Sequence, residues 1–458
     1  MKLMSIINVN WNEAVGKIKP MHGMTNSPIV NGSHDYRRQW KRAGIPFARL
    51  HDTDYPKGPV VDIPRIFPDF KADENDPANY RFKNTDAVIE GIIDCGAEVI
   101  YRLGTSIEHT RQKIDTIVPT DMDKWARICC NIIRHYNEGW ADGYHFNIRF
   151  WEIWNEPNLT QDDMWQGTQA DYFRMYETAS KLIKKEFPNV LVGGPTLAEA
   201  MEFEKNSLKA EYVDEAYARA FLEFVKRSES PLDFFSWHLY RRNIWEYDEV
   251  CHFMKNLVAE YGFGDIIMIC DEWNIKDENN DFALDNGTYV GNSEATQWLD
   301  DMKSEIGASF VAAVMITFQK GPLDISTYYD SNPFLTFCGV FEKSGFPTKT
   351  YNSFRCFDKL YRLNGNEVKT DCDTENTYVL AAKNEGEAVL LISNYDGKNG
   401  AVKVSFDGLP EGKKRYSVVR TDKYYSHTLD EEGVLEGNIW EGSMLKNSTL
   451  LITVTWEI

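Results

Sequence analysis

The chain has 458 residues, of which 43% are hydrophobic and 26% are charged, an ordinary balance for a folded globular protein. This length suggests one large domain with an accessory domain, or two to three smaller domains. The formal net charge of −20 disfavours a nucleic acid or an anionic lipid surface as a partner.

The first twenty residues, MKLMSIINVNWNEAVGKIKP, lack the apolar core and the small-residue cleavage site of a signal peptide. No run of about eighteen apolar residues, the length that a membrane-spanning helix needs, occurs anywhere in the sequence. The eight cysteines form no C-x-x-C pair, so we expect buried thiols rather than disulfides. These features predict a cytoplasmic protein without a membrane span, unless a leader has been removed.

Residues 19–358 alternate between short apolar runs and amphipathic helical stretches. The eight predicted strands are KPMHGM, IPFARLH, AEVIYRL, IRFWEIWNE, NVLVGGP, DFFSWH, DIIMICDE and SFVAAVMITF. Nearly continuous apolar runs are typical of parallel strands that are covered on both faces. Eight β-then-α units predict an α/β fold of the (β/α)8 TIM barrel type. A doubly wound open sheet is the alternative, but its usual glycine-rich phosphate turn is missing.

The pattern changes after residue 358. Helical spacing ends, and β-like runs such as GEAVLLISNYD and STLLITVTWEI are separated by Gly, Asn and Asp turns. Residues 359–458 are therefore predicted to form an accessory antiparallel β-sandwich. The strand-like segment 1–18 precedes the first barrel strand, so we expect it to join this sandwich.

The carboxyl ends of the strands carry the active site in such a barrel. Glu156 ends the fourth predicted strand, and Glu272 ends the seventh. A carboxylate directly after an apolar run such as IIMIC is costly unless it is paired or solvated. Two glutamates that face each other across the barrel mouth suit a retaining glycosidase, in which one attacks the anomeric carbon while the other first protonates the leaving oxygen and then activates water.

Three motifs in this order, WEIWNEPNL, HLY and CDEWN, resemble glycoside hydrolase family 39 of clan A, which includes β-xylosidases and α-L-iduronidases. The stretches GGPT at 193–196 and GVFEKSGFPTKTYNSF at 339–354 extend the resemblance over most of the predicted barrel. The resemblance implies a β-xylosidase-like enzyme that cleaves O-glycosidic bonds in plant-type oligosaccharides or polysaccharides by double displacement.

The resemblance also implies a role for each matching residue. Glu156 would be the general acid/base, and Glu272 would be the nucleophile. Asn155 would hydrogen-bond the sugar 2-hydroxyl, a contact that tightens in the transition state. The other predicted substrate-binding residues are His51 for a distal hydroxyl, His238 and Tyr240 for binding sugar and orienting the nucleophile, and Trp273 and Phe318.

Several polar and aromatic residues near these motifs have a structural interpretation. Glu152, inside the fourth strand, is expected to be a buried carboxylate paired with an arginine rather than a catalyst. Trp151, Trp154 and Trp237 are expected to pack in the core rather than to bind sugar. His51 and His238 could also be buried histidines of the core.

Two departures from the family pattern leave the sugar open. Ile316 stands where the xylosidases carry a tryptophan on the eighth strand, and Ile275-Lys276-Asp277 follows E-W-N where the family has a tyrosine. Xylose, arabinose, glucose, galactose and uronic acids therefore all stay possible glycones. Exo or endo action and the oligomeric state also stay open.

Two other classes of function compete with the glycosidase. A carbohydrate-binding barrel without catalysis would not need paired carboxylates. A metal-dependent hydrolase would need H-x-H on an early strand or H-E-x-x-H on a helix, and the sequence contains neither. We therefore expect a carbohydrate substrate as partner, with no cofactor, no metal, no nucleic acid and no membrane.

Overall fold

The protein is described by a computed structural model that covers residues 4–54, 58–107, 112–159, 164–198, 214–276 and 293–457. It contains a closed barrel of eight strands and a separate sheet of nine strands, together with one short two-stranded hairpin. The eight cysteines are free thiols, and six of them are buried. None of the helices in these ranges is both long and apolar enough to cross a membrane.

The barrel strands are all parallel to their neighbours and follow one another around the barrel in chain order. From first to eighth they are Gly23–Thr25, Phe47–Leu50, Glu98–Leu103, Phe150–Ile153, Leu191–Leu197, Phe234–Tyr240, Ile267–Asn274 and Ile325–Tyr328.

Helices alternate with these strands. They are Arg37–Ala43, Ile63–Ile66, Lys83–Asp94, Met122–Glu138, Gln169–Glu186, Glu215–Ser228, Ile244–Glu260, Ser293–Lys303, Glu305–Lys320 and Tyr351–Arg362. Local sequence sets several of their ends. The helix Gln169–Glu186 begins with a capping box, because Thr168 and Asp171 each bond the backbone N–H of the other.

The position of the eighth strand differs from the prediction. The run SFVAAVMITF is not a strand but part of the helix Glu305–Lys320, which the Ser304 side chain caps. This helix is buried on nearly all sides, because it packs between the barrel and the nine-stranded sheet. A helix covered all round is as continuously apolar as a buried strand, so composition alone could not separate the two. The comparison of Ile316 with a tryptophan of the eighth strand was therefore wrong.

The nine-stranded sheet gathers both ends of the chain. From edge to edge its strands are Thr428–Val434, Lys414–Thr421, Ser448–Trp456, Glu387–Asn394, Thr377–Lys383, Asn366–Cys372, Met4–Lys17, Gly400–Ser405 and Ile439–Met444. The N-terminal strand runs antiparallel to Asn366–Cys372 and parallel to Gly400–Ser405, so the sheet is mixed. The predicted fold class, a TIM barrel with an accessory β domain, is confirmed. The helix Tyr351–Arg362 spans the predicted boundary at residue 358.

The barrel interior changes chemistry along each strand. At the amino-terminal end one cluster of apolar side chains fills it, namely Phe47, Ile100, Phe150, Phe234, Ile269 and Ile325. Side chains two positions apart point to the same side of a strand. The residues two positions further along are all polar and buried, namely Arg49, Arg102, Glu152, Ser236, Asp271 and Thr327. The strands thus lead from an apolar floor into a polar layer below the barrel mouth.

Candidate active site

A bulge in the seventh strand aims two carboxylates into the barrel. Cys270 and Glu272 pair in sequence with consecutive residues of the sixth strand, the second of which is His238, so Asp271 is an extra residue between them. Such a bulge re-aims side chains. Asp271 and Glu272 consequently both face Arg49. Asp271 Oδ2 is 3.4 Å from Arg49 Nε, and Glu272 Oε1 is 2.5 Å from Arg49 Nη1. Without the extra residue, strict alternation would point Glu272 away from the interior.

The end of the fourth strand is also irregular. Trp154 and Glu156 have φ angles of 75° and 48°, in the left-handed region that non-glycine residues adopt at a cost. The Glu156 backbone N–H donates to the carbonyl oxygen of Thr196 on the fifth strand, which anchors the turn. This backbone places Asn155 and Glu156 over the polar layer.

Glu156 and Glu272 lie beside the same histidine. Glu156 Oε1 is 2.7 Å from His238 Nδ1, which is 3.5 Å from Glu272 Oε2. One ligand atom from each of the three residues lies within 4.8 Å of the others. The side chains of Glu156 and Glu272 are 15% and 5% exposed, so the pair is nearly enclosed but open on the Glu156 side.

Arg49 is the centre of the polar layer, and it is absent from the predicted site residues. Its guanidinium is fully buried and donates to Glu152 at 2.8 Å, to Glu272 at 2.5 Å and to Asn155 Oδ1 at 2.7 Å. Although burial alone would lower the pKa of Arg49, the charges of Glu152, Asp271 and Glu272 hold it above its ordinary value. As expected, Glu152 is a buried carboxylate paired with an arginine.

Arg49 also orients Asn155. A guanidinium has no acceptor, so it selects the amide oxygen of Asn155. The Nδ2 group is buried and has no hydrogen-bond partner within the described part of the chain. Nδ2 is therefore the group that the predicted contact of Asn155 with the sugar 2-hydroxyl would use.

The protonation of the site follows from its burial. Burial raises the pKa of Glu272, and the charge of Glu156 adds to this, while Arg49 and the Tyr240 hydroxyl oppose it. The Tyr240 hydroxyl donates to Glu272 Oε2 at 2.6 Å. Burial lowers the pKa of His238 to about 4, so its imidazole is neutral at neutral pH. Glu272 thus accepts from two donors, Arg49 and Tyr240, in a poorly solvated place, and burial outweighs them so that its pKa is raised.

A second small network lies on the other side of Glu272. His51 Nε2 is 4.0 Å from Glu272 Oε1 and 3.3 Å from Asp52 Oδ1. The Tyr329 hydroxyl donates to Asp52 Oδ2 at 2.9 Å. Burial raises the pKa of Asp52 to about 6. Tyr329 directly follows the observed eighth strand, so only a correct placement of that strand could have identified it.

The structure does not bring Trp273 and Phe318 to this site. Both are buried, and their rings pack edge to face with centroids 5.5 Å apart behind the barrel wall. The bulge explains this, because it turns Trp273 outward when it turns Glu272 inward. Trp151, Trp154 and Trp237 are also buried in the core. Asp277, where the sequence departs from the family tyrosine, lies outside the described residues.

The same three residues offer one possible metal site. Glu156, His238 and Glu272 supply three ligand atoms at a spacing that a divalent cation could use. However, His238 Nδ1 already contacts Glu156, and Glu272 already accepts from Arg49 and Tyr240. Hydrogen bonding within the protein therefore accounts for the arrangement.

Comparison with known proteins places this geometry in context. The model of the family described as Glycosyl hydrolases family 39 matches residues 5–429. A β-xylosidase of Caldicellulosiruptor saccharolyticus is 24% identical over 466 residues, which cover 91% of this chain and 85% of that protein. A glucosidase from Croceicoccus marinus has a similar solved structure, with a TM-score of 0.78 and 20% identity over 100% of both chains. A monomeric β-xylosidase from Caulobacter crescentus CB15 has a TM-score of 0.69 and 16% identity, over 98% of this chain and 99% of that one.

Proposed function

We propose, from the premise that this chain belongs to glycosyl hydrolases family 39 and is a glycoside hydrolase, that it cleaves its substrate with retention of configuration. Glu272 is the nucleophile, and Glu156 is the general acid/base. The observation that carries this assignment is the close approach of the two carboxylates, which have atoms within 4.8 Å of each other. Retaining enzymes need a separation of about 5–5.5 Å, whereas inverting ones need about 6.5–9.5 Å to admit a water.

In the first step Glu272 attacks the anomeric carbon, and the bond to the leaving oxygen breaks as Glu156 gives that oxygen its proton. Arg49 and Tyr240 hold Glu272 as an anion and fix its direction of attack. The Nδ2 group of Asn155 donates to the sugar 2-hydroxyl oxygen, a bond that strengthens as positive charge develops on the ring.

In the second step Glu156, now a carboxylate, takes a proton from water, and the water oxygen displaces Glu272 from the anomeric carbon. Glycosylation has by then removed the negative charge of Glu272. The repulsion that favoured a protonated Glu156 in the first step therefore no longer acts. One residue thus serves as acid and then as base.

We further propose a neutral, xylose-like glycone rather than a uronic acid. The polar layer and its rim carry several carboxyl groups, namely Asp52, Glu152, Asp271, Glu272 and Asp330. The cation that reaches the nucleophile, Arg49, already bonds Glu152 and Asn155 as well. The carboxylate of a uronic acid would have to compete with Glu152 and Glu272 for Arg49, and this competition disfavours its binding.

The experiment is a panel of 4-nitrophenyl glycosides of xylose, arabinose, glucose, galactose and glucuronic acid, followed by Glu156→Ala on the best substrate. A nitrophenolate leaves with little protonation, so glycosylation survives in the variant while deglycosylation becomes slow. Azide needs no base, and we expect it to restore turnover and give a glycosyl azide of retained configuration. Absence of turnover on every glycoside, or of azide rescue, would reject the assignment.

A further inference from the structure

An apolar cavity opens beside the segment that carries the acid/base, and it has no role in the two steps above. Its volume is about 290 Å³, and its walls are contributed by residues 63–70, 104–105 and 114–120 with two tryptophans. These segments follow the carboxyl ends of the second and third barrel strands, the end at which barrel enzymes bind substrate. The larger apolar side chains that line the cavity are Ile63, Phe67, Phe70, Ile117, Trp125 and Trp154.

The cavity lies close to Glu156. Trp154, which lines it, precedes Glu156 by two residues, so the Cα atoms of the two residues are no more than about 7 Å apart. The opposite wall begins at Gly104, where a Cβ atom would be 3.2 Å from the Cα atom of Trp154. Three residues further along, the backbone N–H of Ile107 donates to Asp52 Oδ1 at 3.0 Å, beside the His51 network. The cavity therefore adjoins the barrel mouth, within reach of a group bonded to the oxygen that Glu156 protonates.

The polar groups of the lining are engaged within the protein. The Thr105 hydroxyl donates to Asp62 Oδ2 at 3.3 Å, and Asp115 accepts from Arg65 at 2.7 Å. The indole N–H of Trp154 donates to a backbone carbonyl oxygen at 2.8 Å. A sugar unit is recognised through several hydrogen bonds, whereas this lining offers mainly aromatic and aliphatic surface. The chemistry of the cavity therefore favours an apolar ligand over a second sugar.

Two isoleucines of the same lining are exposed. The side chains of Ile114 and Ile117 are 59% and 51% exposed. Exposed apolar surface that continues into a cavity is typical of a binding site. A dry apolar cavity of about 150 Å³ is large enough to bind benzene, so this one has room for about two fused rings or a short alkyl chain.

We propose that this cavity binds the apolar aglycone of the substrate, an aryl or alkyl group whose oxygen Glu156 protonates as it leaves. The inference rests on the proposed function, because an aglycone is released only where a glycosidic bond is cleaved at Glu156. The two parts of the substrate are then recognised in different ways. The polar layer contacts the sugar through hydrogen bonds, and the cavity holds the aglycone by removing apolar surface from water.

The first test compares methyl and hexyl β-D-xyloside, whose leaving alcohols differ in apolar length. Each buried methylene strengthens binding about fourfold, so we expect the unmutated enzyme to prefer the hexyl glycoside by about tenfold or more in kcat/KM. Ile117→Asp should bring this ratio to about one, because an alkyl chain in the cavity would desolvate the new carboxylate.

Val15→Asp is the matched control for this test, since Val15 is 61% exposed on the strand Met4–Lys17 of the other sheet. It should keep the ratio of the unmutated enzyme. Equal kcat/KM values of the unmutated enzyme on the two xylosides would overturn the proposal. The same ratio in Ile117→Asp and Val15→Asp would overturn it as well.

A binding measurement tests the cavity without turnover. The apolar alcohol 2-naphthol, which carries no sugar, should bind the unmutated enzyme in isothermal titration calorimetry, and Ile117→Asp should weaken this binding about tenfold or more. Absence of binding to the unmutated enzyme, or equal binding to Ile117→Asp, would contradict the proposal. Failure of the proposed function has a different signature, since neither xyloside would then be hydrolysed while the binding of 2-naphthol would still depend on Ile117.

Discussion

The two ends of the barrel interior are built by the same strands with opposite chemistry. The amino-terminal end is filled by Phe and Ile side chains, whereas two residues further along the same strands carry Arg, Glu and Asp. The apolar end stabilises the fold by burying surface. At the polar end, hydrogen bonds and ion pairs offset the cost of removing the charged side chains from water. Substitutions at the apolar end should therefore affect folding alone, whereas substitutions at the polar end should also affect catalysis.

The largest effect is expected from Glu272→Gln. The amide keeps the shape of the side chain but cannot form the glycosyl–enzyme bond, so kcat should fall by about 10⁴-fold or more. Steady-state rates on the best nitrophenyl glycoside measure this. Glu249→Gln, on an exposed face of the helix Ile244–Glu260, is the matched control and should keep its rate. Near-native turnover in Glu272→Gln would contradict the assignment of Glu272 as the nucleophile.

Arg49→Met, a substitution at the polar end, should lower both the stability and the activity of the protein. It leaves Glu152, Asp271 and Glu272 buried without their cation, which typically costs about 3–5 kcal/mol. Urea unfolding measures the stability loss. Adding Glu152→Gln to this variant should recover part of the stability but none of the activity, because the Glu272 contact stays missing. Recovery of activity in the double variant would show that Arg49 acts only through the fold.

Phe150→Ala should affect folding alone. Phe150 is buried in the apolar cluster, with its ring edge to face against Phe47 at 5.7 Å. Its removal leaves a cavity and should lower the free energy of unfolding by about 3–5 kcal/mol. The rate per folded molecule should stay close to that of the parent protein. A loss of kcat as large as that of Arg49→Met would mean that the two ends are not separable.

Asp52→Asn should change how stability depends on pH. Because the folded protein raises the pKa of Asp52 from 3.8 to about 6, it binds this proton more tightly than the unfolded chain does. The parent protein therefore loses up to about 3 kcal/mol from this group as pH rises through that window. The asparagine variant should be more stable than the parent above pH 6 and no different below pH 4. Urea unfolding at both pH values measures this, with the exposed Asp300→Asn as control. A difference in the free energy of unfolding between the parent and Asp52→Asn that is the same at both pH values would contradict the raised pKa of Asp52.

The smallest effect is expected from removing metal ions. Since hydrogen bonds within the protein account for the contacts of Glu156, His238 and Glu272, dialysis against EDTA should change kcat by less than about twofold. A loss of activity that zinc or manganese restores would instead support a metal site on these three residues.

The sequence was most informative where a charged residue interrupts or ends an apolar strand. Glu156 and Glu272 were identifiable because a carboxylate that ends an apolar strand of a barrel calls for a function. Arg49 is likewise a charged residue in an apolar run, FARLH, but its role could not be predicted because its partners come from distant strands. Asp271 was missed and Trp273 was wrongly expected to bind substrate, because period-two alternation does not reveal a one-residue bulge. The eighth strand was missed because the helix Glu305–Lys320 is covered on all sides and reads as a strand.

The central claim, that two closely spaced carboxylates cleave by double displacement, is tested most directly by the configuration of the first product. Proton NMR of the unmutated enzyme acting on the best nitrophenyl glycoside should show the anomer with the substrate's own configuration appearing first. Mutarotation should produce the other anomer only later. Prompt formation of the inverted anomer would contradict the account, even if Glu156 and Glu272 both proved essential.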